Sequence, residues 1–206
     1  MKINNETLKT YLKQINCGGL INEVKLNFEE NGVSSLTVNP ENTVMVSNKL
    51  ANSEFIKYDK LGIIALDNLS LLIKILGRIV GDITIKKEEN ILKFSNEEGD
   101  REGEFILISE DLIEDVKKVP NVDYKNTLKI DSEIIVDSLR NSEDLEDEPS
   151  EVRLELNNKM LFIRCGETNK ITDRIKLNDK YENFSVKFSG ELLKKTISNL
   201  EGDIEI

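Results

Sequence analysis

The 206-residue sequence contains no histidine, no tryptophan and only two cysteines. A chain without histidine lacks the commonest general base of enzymes and cannot build a Ser-His or Cys-His nucleophile. Cys17 and Cys165 are far apart in the sequence, and neither has a second cysteine or a histidine at the spacing of a zinc site. We therefore predict no catalytic residues, no metal site and no cofactor, and we expect both thiols to be reduced and packed.

Long apolar runs are also missing from the sequence. No stretch approaches the roughly 20 apolar residues that span a bilayer, and the N-terminus lacks the apolar segment of a signal peptide. With 38% hydrophobic and 33% charged residues, the composition is typical of a globular protein. We expect an intracellular protein without a membrane partner, located in the cytoplasm, or in the nucleus or at a viral replication site if the source is a eukaryote or a virus.

The sequence does contain a recurring pattern, a short alternating strand followed by a helix, at intervals of roughly 60 residues. Each strand ends on an apolar residue, and the next residue has a side chain that can cap the first turn of a helix. These pairs are Ile3 and Asn4, Leu66 and Asp67, Ile130 and Asp131, and Phe188 and Ser189. The four occurrences predict an internal repeat.

Apolar residues four positions apart follow each cap and predict one buried stripe on each helix. The pairs are Leu8 and Leu12, Leu71 and Ile75, Ile135 and Leu139, and Leu193 and Ile197. Three alternating strand patterns follow each of the first three helices, which gives a βαβββ unit. The fourth unit stops at Ile206, after the start of one strand, and we expect it to be incomplete.

Antiparallel strands with one helix per unit predict an α+β fold. We expect two similar domains of two βαβββ units each, with antiparallel sheets outside and helices inside. The first domain is placed at residues 1–108 and the second, truncated at its end, at residues 126–206. Residues 109–125 between them contain Pro120 and have poor periodicity, so we predict an interdomain connector there.

Basic residues are concentrated on the four predicted helices, although the chain has a formal net charge of -11. Residues 5–15, 68–79, 132–142 and 190–200 contain four acidic residues and seven basic ones: Lys9, Lys13, Lys74, Arg78, Arg140, Lys194 and Lys195. Such a surface fits contact with the phosphate backbone of DNA without reading of the bases. Solvated helix faces with lysines near their C-termini would give the same count, so charge alone does not separate the two interpretations.

Four sequence segments follow one another in this order: "LNFEENGVSSLTVNPENTVMV", "SEFIKYD", "LGIIALDNLSLLIKIL" and "VPNVDYKNTLKI". Together with the repeated units and the basic helices, they resemble DNA sliding clamps of the proliferating cell nuclear antigen type, over nearly the whole chain. The resemblance implies the DNA clamp fold and a non-enzymatic ring, expected to be a homotrimer, that encircles duplex DNA. Such a ring is placed by a clamp loader and tethers DNA polymerase and other replication and repair proteins, and the seven basic residues would contact the DNA backbone.

The resemblance also implies two protein-binding surfaces. A groove for partner peptides would be formed by Thr43, Val44, Val46, Val119 and Pro120, although the valines also fit ordinary sheet core. Subunits would join through the edges formed by residues 104–109 and 171–177, and the interface residues would be Phe105, Ile106, Leu107, Ile171, Arg174 and Ile175. Helix three carries Asp137 beside Arg140, which makes its contact with DNA the least supported.

Two rival functions remain open at this point. The first is a clamp-like interaction scaffold, associated with a checkpoint or with transcription, that does not encircle DNA; loss of an edge strand or of the helical charge would favour it. The second is an enzyme that uses carboxylates, for which the sequence offers no motif. The acidic run at residues 142–151 lacks the spacing of a calcium loop, and we expect a solvated loop there.

Overall fold

The first strand passes directly into the first helix, as the sequence predicts. β1 (Lys2–Asn4) is followed by α1 (Asn5–Asn16), and the Asn4 side chain accepts hydrogen bonds from the backbone N–H groups of Glu6 and Thr7. These amides have no acceptor inside the helix, so the cap satisfies them. The helix ends at Cys17, whose left-handed backbone returns its N–H to the carbonyl of Lys13.

The computed structural model describes residues 1–116, 118–124, 127–142, 151–166, 170–178 and 181–206. The chain divides into two compact units, Met1–Pro120 (unit 1) and Asn121–Ile206 (unit 2). The acidic run at residues 142–151 lies outside the described residues except for its two ends. Within these ranges, no helix is both long and apolar enough to cross a bilayer.

The remaining helices are α2 (Leu69–Leu76), α3 (Ser132–Ser142) and α4 (Gly190–Ile197). Two predicted caps are confirmed, because Asp131 accepts from the N–H of Glu133 and Ser189 accepts from that of Leu192. The predicted cap at Asp67 is wrong. Asn68 caps α2 instead, by accepting from the N–H of Leu71, so this helix begins one residue later than expected.

The shifted cap explains a second error, the assignment of Leu71 to the buried stripe. Leu71 is 46% exposed, whereas Leu72 is 2% exposed. In all four helices the first, fourth and eighth residues after the true cap are buried: Asn5, Leu8 and Leu12; Leu69, Leu72 and Leu76; Ser132, Ile135 and Leu139; Gly190, Leu193 and Ile197. A cap misplaced by one residue therefore rotates the predicted stripe by about 100° around the helix.

Two sheets form unit 1. Its strands after β1 are β2 (Val24–Glu29), β3 (Gly32–Val38), β4 (Met45–Ala51), β5 (Phe55–Lys57), β6 (Gly62–Leu66), β7 (Asp82–Glu88), β8 (Ile91–Asn96) and β9 (Glu102–Ile106). One sheet has the order β4-β3-β2-β6 and the other β5-β1-β7-β8-β9. Both helices, α1 and α2, pack with these sheets around a single core.

Two sheets also form unit 2. Its strands are β10 (Lys129–Asp131), β11 (Glu151–Asn157), β12 (Met160–Cys165), β13 (Ile171–Lys176), β14 (Phe184–Ser189) and β15 (Asp203–Glu205). The sheet orders are β13-β12-β11-β14 and β10-β15, and α3 and α4 cover a separate core. Every pairing of the named strands is antiparallel, so the predicted α+β class with antiparallel sheets is confirmed.

The repeats exchange their leading strands. β1 begins the first repeat but pairs with β7 of the second, and β6 begins the second repeat but pairs with β2 of the first. Unit 2 has the same arrangement, because β10 pairs with β15 and β14 pairs with β11. A single βαβββ repeat is therefore not a folding unit, since its first strand completes the sheet of its neighbour.

Candidate functional sites

The two basic side chains of α1 differ in exposure and in ion pairing. Lys13 is exposed, whereas Lys9 is half-buried and its Nζ donates to a carboxylate oxygen of Glu6 over 2.7 Å. This hydrogen bond and the attraction of the lysine charge lower the pKa of Glu6. Because Glu6 itself is exposed, the ion pair is weak and a phosphate could replace the carboxylate at small cost.

The second helix carries only one of the two basic residues predicted there. Lys74 is exposed in the last turn of α2. Arg78 follows Gly77, the residue that ends the helix, so the predicted helical range 68–79 is too long. The Arg78 carbonyl accepts a hydrogen bond from the guanidinium of Arg101, which fixes the backbone in this turn while the Arg78 side chain is exposed.

The basic residues of unit 2 are also partly paired. Arg140 on α3 contacts Asp137 over 2.8 Å, and Lys195 on α4 contacts Glu191 one turn earlier. Lys194 is half-buried beside it in the last turn of α4. Of the seven predicted DNA-contacting residues, three therefore have an acidic partner on their own helix, and Lys13 and Lys74 keep exposed positions without an ion pair inside the described parts of the chain.

The predicted groove residues of the β3–β4 connection are organised by Asn39, which sequence reasoning missed. Asn39 is buried, and its Oδ1 accepts from the N–H groups of Thr43 and Val44, each over 2.8 Å. Its Nδ2 donates to the Thr43 hydroxyl. The Asn-Pro pair at residues 39–40 is a turn signal that could have indicated this role.

The five predicted groove residues occupy different environments. Thr43 is exposed, while Val44 and Val46 are half-buried and pack against the core of unit 1. Val119 and Pro120 lie exposed in a segment without regular secondary structure after β9. Val44 and Val46 thus have the sheet-core character that the sequence also allowed, whereas Val119 does not.

A groove that sequence reasoning missed lies on the β4-β3-β2-β6 sheet, on the face that is turned away from the core. It has a volume of about 420 Å³, and its lining includes Lys25, Leu36, Lys49, Ile63 and Ile113. The segment after β9 forms one wall, where Asp115 is held by an ion pair to Lys25. Alternation along β2, β3 and β4 places these side chains away from the core, and that alternation is the signal that could have found the groove.

The predicted interface strands are both edges of their sheets, β9 in unit 1 and β13 in unit 2. Phe105 and Leu107 are buried in the unit 1 core, whereas Ile106 is 70% exposed. In unit 2, Arg174 is exposed, and Ile171 and Ile175 are half-buried. A partner at β9 would meet the backbone and the Ile106 side chain rather than the side chains of Phe105 and Leu107.

Three titratable side chains, Tyr11, Cys17 and Cys165, are buried in the described parts of the two units. Burial raises the pKa of the Cys165 thiol to about 11 and that of the Tyr11 hydroxyl to about 12, and it also raises the pKa of Cys17. Both cysteines are free and buried. Over the described ranges, no group of three or more acidic, histidine or cysteine side chains could hold a metal ion.

No protein-family model and no curated protein matches this sequence. Solved structures do match over its length. PCNA of A. fulgidus bound to the C-terminal region of FEN-1 aligns with a TM-score of 0.83 at 19% identity, over 100% of this chain and 85% of that chain. PCNA of Thermococcus kodakaraensis aligns with a TM-score of 0.81 at 13% identity, over 100% of this chain and 88% of that one.

The proliferating cellular nuclear antigen of Entamoeba histolytica gives a similar result, a TM-score of 0.82 at 13% identity over 99% of this chain and 86% of the other. These matches confirm the predicted resemblance at the level of fold. The chain has the DNA clamp fold. At 13 to 19% identity, these matches show the fold alone.

Proposed function

We propose that this protein is a DNA sliding clamp, a ring of identical subunits that encircles duplex DNA and tethers DNA polymerase. The observation that supports the proposal most is the clamp fold over the full chain, shared with three PCNA structures. Because an acidic chain of net charge -11 carries basic side chains on its helices, the helices offer a surface for a polyanion. The protein acts without catalysis, and its site of action is intracellular.

The helical residues proposed to contact the DNA backbone are Lys9, Lys13, Lys74, Arg140, Lys194 and Lys195, with Arg78 next to the end of α2. A ring holds DNA topologically, so each contact needs little strength and a few weak, exchangeable ion pairs suffice. The pairs of Lys9, Arg140 and Lys195 with acids on the same helix are of this exposed kind. The ring is proposed to be a trimer placed by a clamp loader.

Partner binding is proposed at two places on unit 1. One is the groove of Thr43, Val44, Val46, Val119 and Pro120, and the other is the groove lined by Leu36 and Ile113. The A. fulgidus PCNA was solved with the C-terminal region of FEN-1 bound, so a similar fold does accept a peptide of a partner protein. Apolar side chains of a short partner segment fit grooves of this kind.

A clamp-like scaffold that does not encircle DNA is the second candidate. The pairing of three basic residues with acids on their own helices favours it, because these charges are already satisfied without DNA. Such a scaffold would keep its partner-binding surfaces, and removal of the helical charges would not weaken partner binding.

The test combines the solution mass by light scattering with processive synthesis by a DNA polymerase. One variant replaces Lys9, Lys13, Lys74, Lys194 and Lys195 with alanine. The matched control replaces five exposed lysines outside the helices, Lys57, Lys60, Lys86, Lys118 and Lys170, which changes the net charge equally. We expect both variants to keep the wild-type oligomer and only the helical variant to lose processivity. Equal processivity of the polymerase with the two variants would favour the scaffold.

A further inference from the structure

The outward side chains of the edge strand β9 are acidic. Alternation along β9 sends Phe105 into the core and places Gly103 against α2, where a Cβ would come within 2.8 Å of Ile75. Glu102, Glu104 and Ile106 therefore share the other face, and all three are exposed. This face of β9 ends the sheet with two carboxylates and one large apolar side chain.

The edge strand β13 of unit 2 shows the opposite charge on the equivalent face. Ile171 and Ile175 lie on the side of the core, opposite Cys165 and Leu161 of β12. Thr172, Arg174 and Lys176 alternate with them, and the two basic side chains are exposed. The face of β13 that is not turned to the core is therefore basic at the sheet edge.

The charges at these two edges are poorly compensated within their own units. Glu102, Arg174 and Lys176 form no ion pair among the residues that the structure describes, and Glu104 reaches Lys93 only over 3.8 Å. Lys93 itself lies closer to Glu88, at 2.6 Å. The edges thus carry net charge of opposite sign that is available to another molecule.

The inner strands of the unit 2 sheet differ from its edge. Arg164 on β12 pairs with Glu155 over 3.1 Å, and Lys187 on β14 pairs with Glu151 over 2.7 Å. Arg153 on β11 also reaches Glu151, over 3.4 Å. On the strands of this sheet, basic side chains of this face are matched with acids except on β13, one of the two edges where a neighbouring strand could be added.

Cross-strand charge decides which edges can join. Opposite charges directly across a strand pair stabilise it, and like charges destabilise it. Joining β9 to β9 would bring glutamates together, and joining β13 to β13 would bring arginine and lysine together. One antiparallel register of β9 against β13 places Glu102 opposite Lys176, Glu104 opposite Arg174 and Ile106 opposite Thr172, so that both charges of each strand find a partner.

We propose that these charges select the pairing of β9 of one copy with β13 of a second copy and reject both pairings of like edges. The inference rests on the proposed assembly of identical subunits and adds the residues that determine its direction. A pairing of unlike surfaces is heterologous, so it can continue from copy to copy and close into a ring, whereas a like pairing stops at a dimer. Salt weakens the assembly because the charges lie at the solvent-exposed edge.

The test uses three charge variants and sedimentation velocity or light scattering over a range of concentrations and salt. Glu102→Lys with Glu104→Lys makes both edges basic, and Arg174→Glu with Lys176→Glu makes both edges acidic. We expect each double variant to associate about 10- to 100-fold more weakly than the wild type. The quadruple variant exchanges the two charges between the edges, and we expect it to associate as the wild type does.

A control carries the same charge change away from the edges, Glu30→Lys with Glu54→Lys, and should assemble normally. Recovery of assembly in the quadruple variant also shows that the reversed side chains allow folding. Double variants that assemble like the wild type, or a quadruple variant that stays dissociated, would overturn the charge selection while leaving a ring intact. A wild-type protein that is monomeric at every concentration and low salt would overturn both the selection and the proposed clamp.

Discussion

The first residue of α1 in unit 1 and the first residue of α3 in unit 2 make equivalent contacts with different side chains. In unit 1, α1 begins beside the end of α2, and the fully buried Asn5 donates through Nδ2 to the carbonyls of Leu76 and Ile79, over 2.8 and 2.5 Å. In unit 2, Ser132 occupies the same position, and its hydroxyl donates to the carbonyl of Leu200 over 3.0 Å. One amide thus makes two bonds where the hydroxyl makes one.

The backbone at this position is the same in both units. The N–H of Asn5 donates to the Gly81 carbonyl, and the N–H of Ser132 donates to the Gly202 carbonyl. Both glycines have positive φ values, 84° and 73°, which suit a residue without a Cβ. The backbone therefore sets the contact between the exchanged repeats, and the side chain adds hydrogen bonds to carbonyls at or just after the end of the neighbouring helix.

The largest effect is expected from the buried position four residues after the cap. Leu72→Ala removes a side chain from the unit 1 core and should lower the free energy of unfolding by about 2 to 5 kcal/mol. Leu71→Ala is the matched control, and because Leu71 is exposed it should cost less than about 1 kcal/mol. Urea unfolding followed by circular dichroism measures both. Equal losses of unfolding free energy would contradict the cap at Asn68 and support the predicted cap at Asp67.

Removing the Asn5 and Ser132 side chains tests how much each contributes to its own unit. Asn5→Ala leaves the Ile79 carbonyl without a donor, while the Leu76 carbonyl keeps the N–H of Ile79. It should destabilise unit 1 by about 2 kcal/mol, whereas Ser132→Ala should cost unit 2 about 1 kcal/mol. Asn5→Ser places the residue of unit 2 in unit 1, and its loss of unfolding free energy should lie between the losses of the two alanine variants.

Each unit contains one buried cysteine, and the two thiols report on the units separately. Labelling with a thiol reagent under native conditions should become faster at Cys17 in the Asn5 variants and at Cys165 in the Ser132 variant. Acceleration at both cysteines in every variant would mean that the units unfold together and that the assignment of one contact to each unit is wrong.

The smallest expected effect is alkaline destabilisation of unit 2. Burial raises the pKa of Cys165 to about 11, so the folded unit holds the thiol proton where the unfolded chain releases it. The stabilisation is complete below the pKa of the unfolded thiol and is lost as the pH rises toward 11, by about 1 kcal/mol at pH 10.

Cys165→Ala should remove this part of the pH dependence, and Cys17→Ala should leave it in place. Urea unfolding at neutral pH and at pH 10 provides the measurement for all three proteins. If Cys165→Ala retains the full alkaline loss, the loss belongs to a group other than Cys165.

The sequence predicted most elements and failed at places where two local signals were equally good. Asp67 and Asn68 are both capping residues, and only the packing of Leu72 in place of Leu71 shows which of them is used. The predicted helical range 68–79 includes Arg78, but α2 ends at Leu76 with Gly77 as its C-cap. The second groove of unit 1 was missed because residues from β2, β3, β4 and the segment after β9 meet only in the folded sheet.

The sequence by itself determined the four strand-helix repeats, three of the four caps, the antiparallel strands and the concentration of basic residues on helices. These features depend on residues within one or two turns of each other, where capping and periodicity act. Tertiary structure alone decided the exchange of leading strands, the contacts of Asn5 and Ser132, and the opposite charges at the β9 and β13 edges. These contacts join residues from 34 to 82 positions apart. No local preference specifies such a pairing, because the shared core makes it favourable.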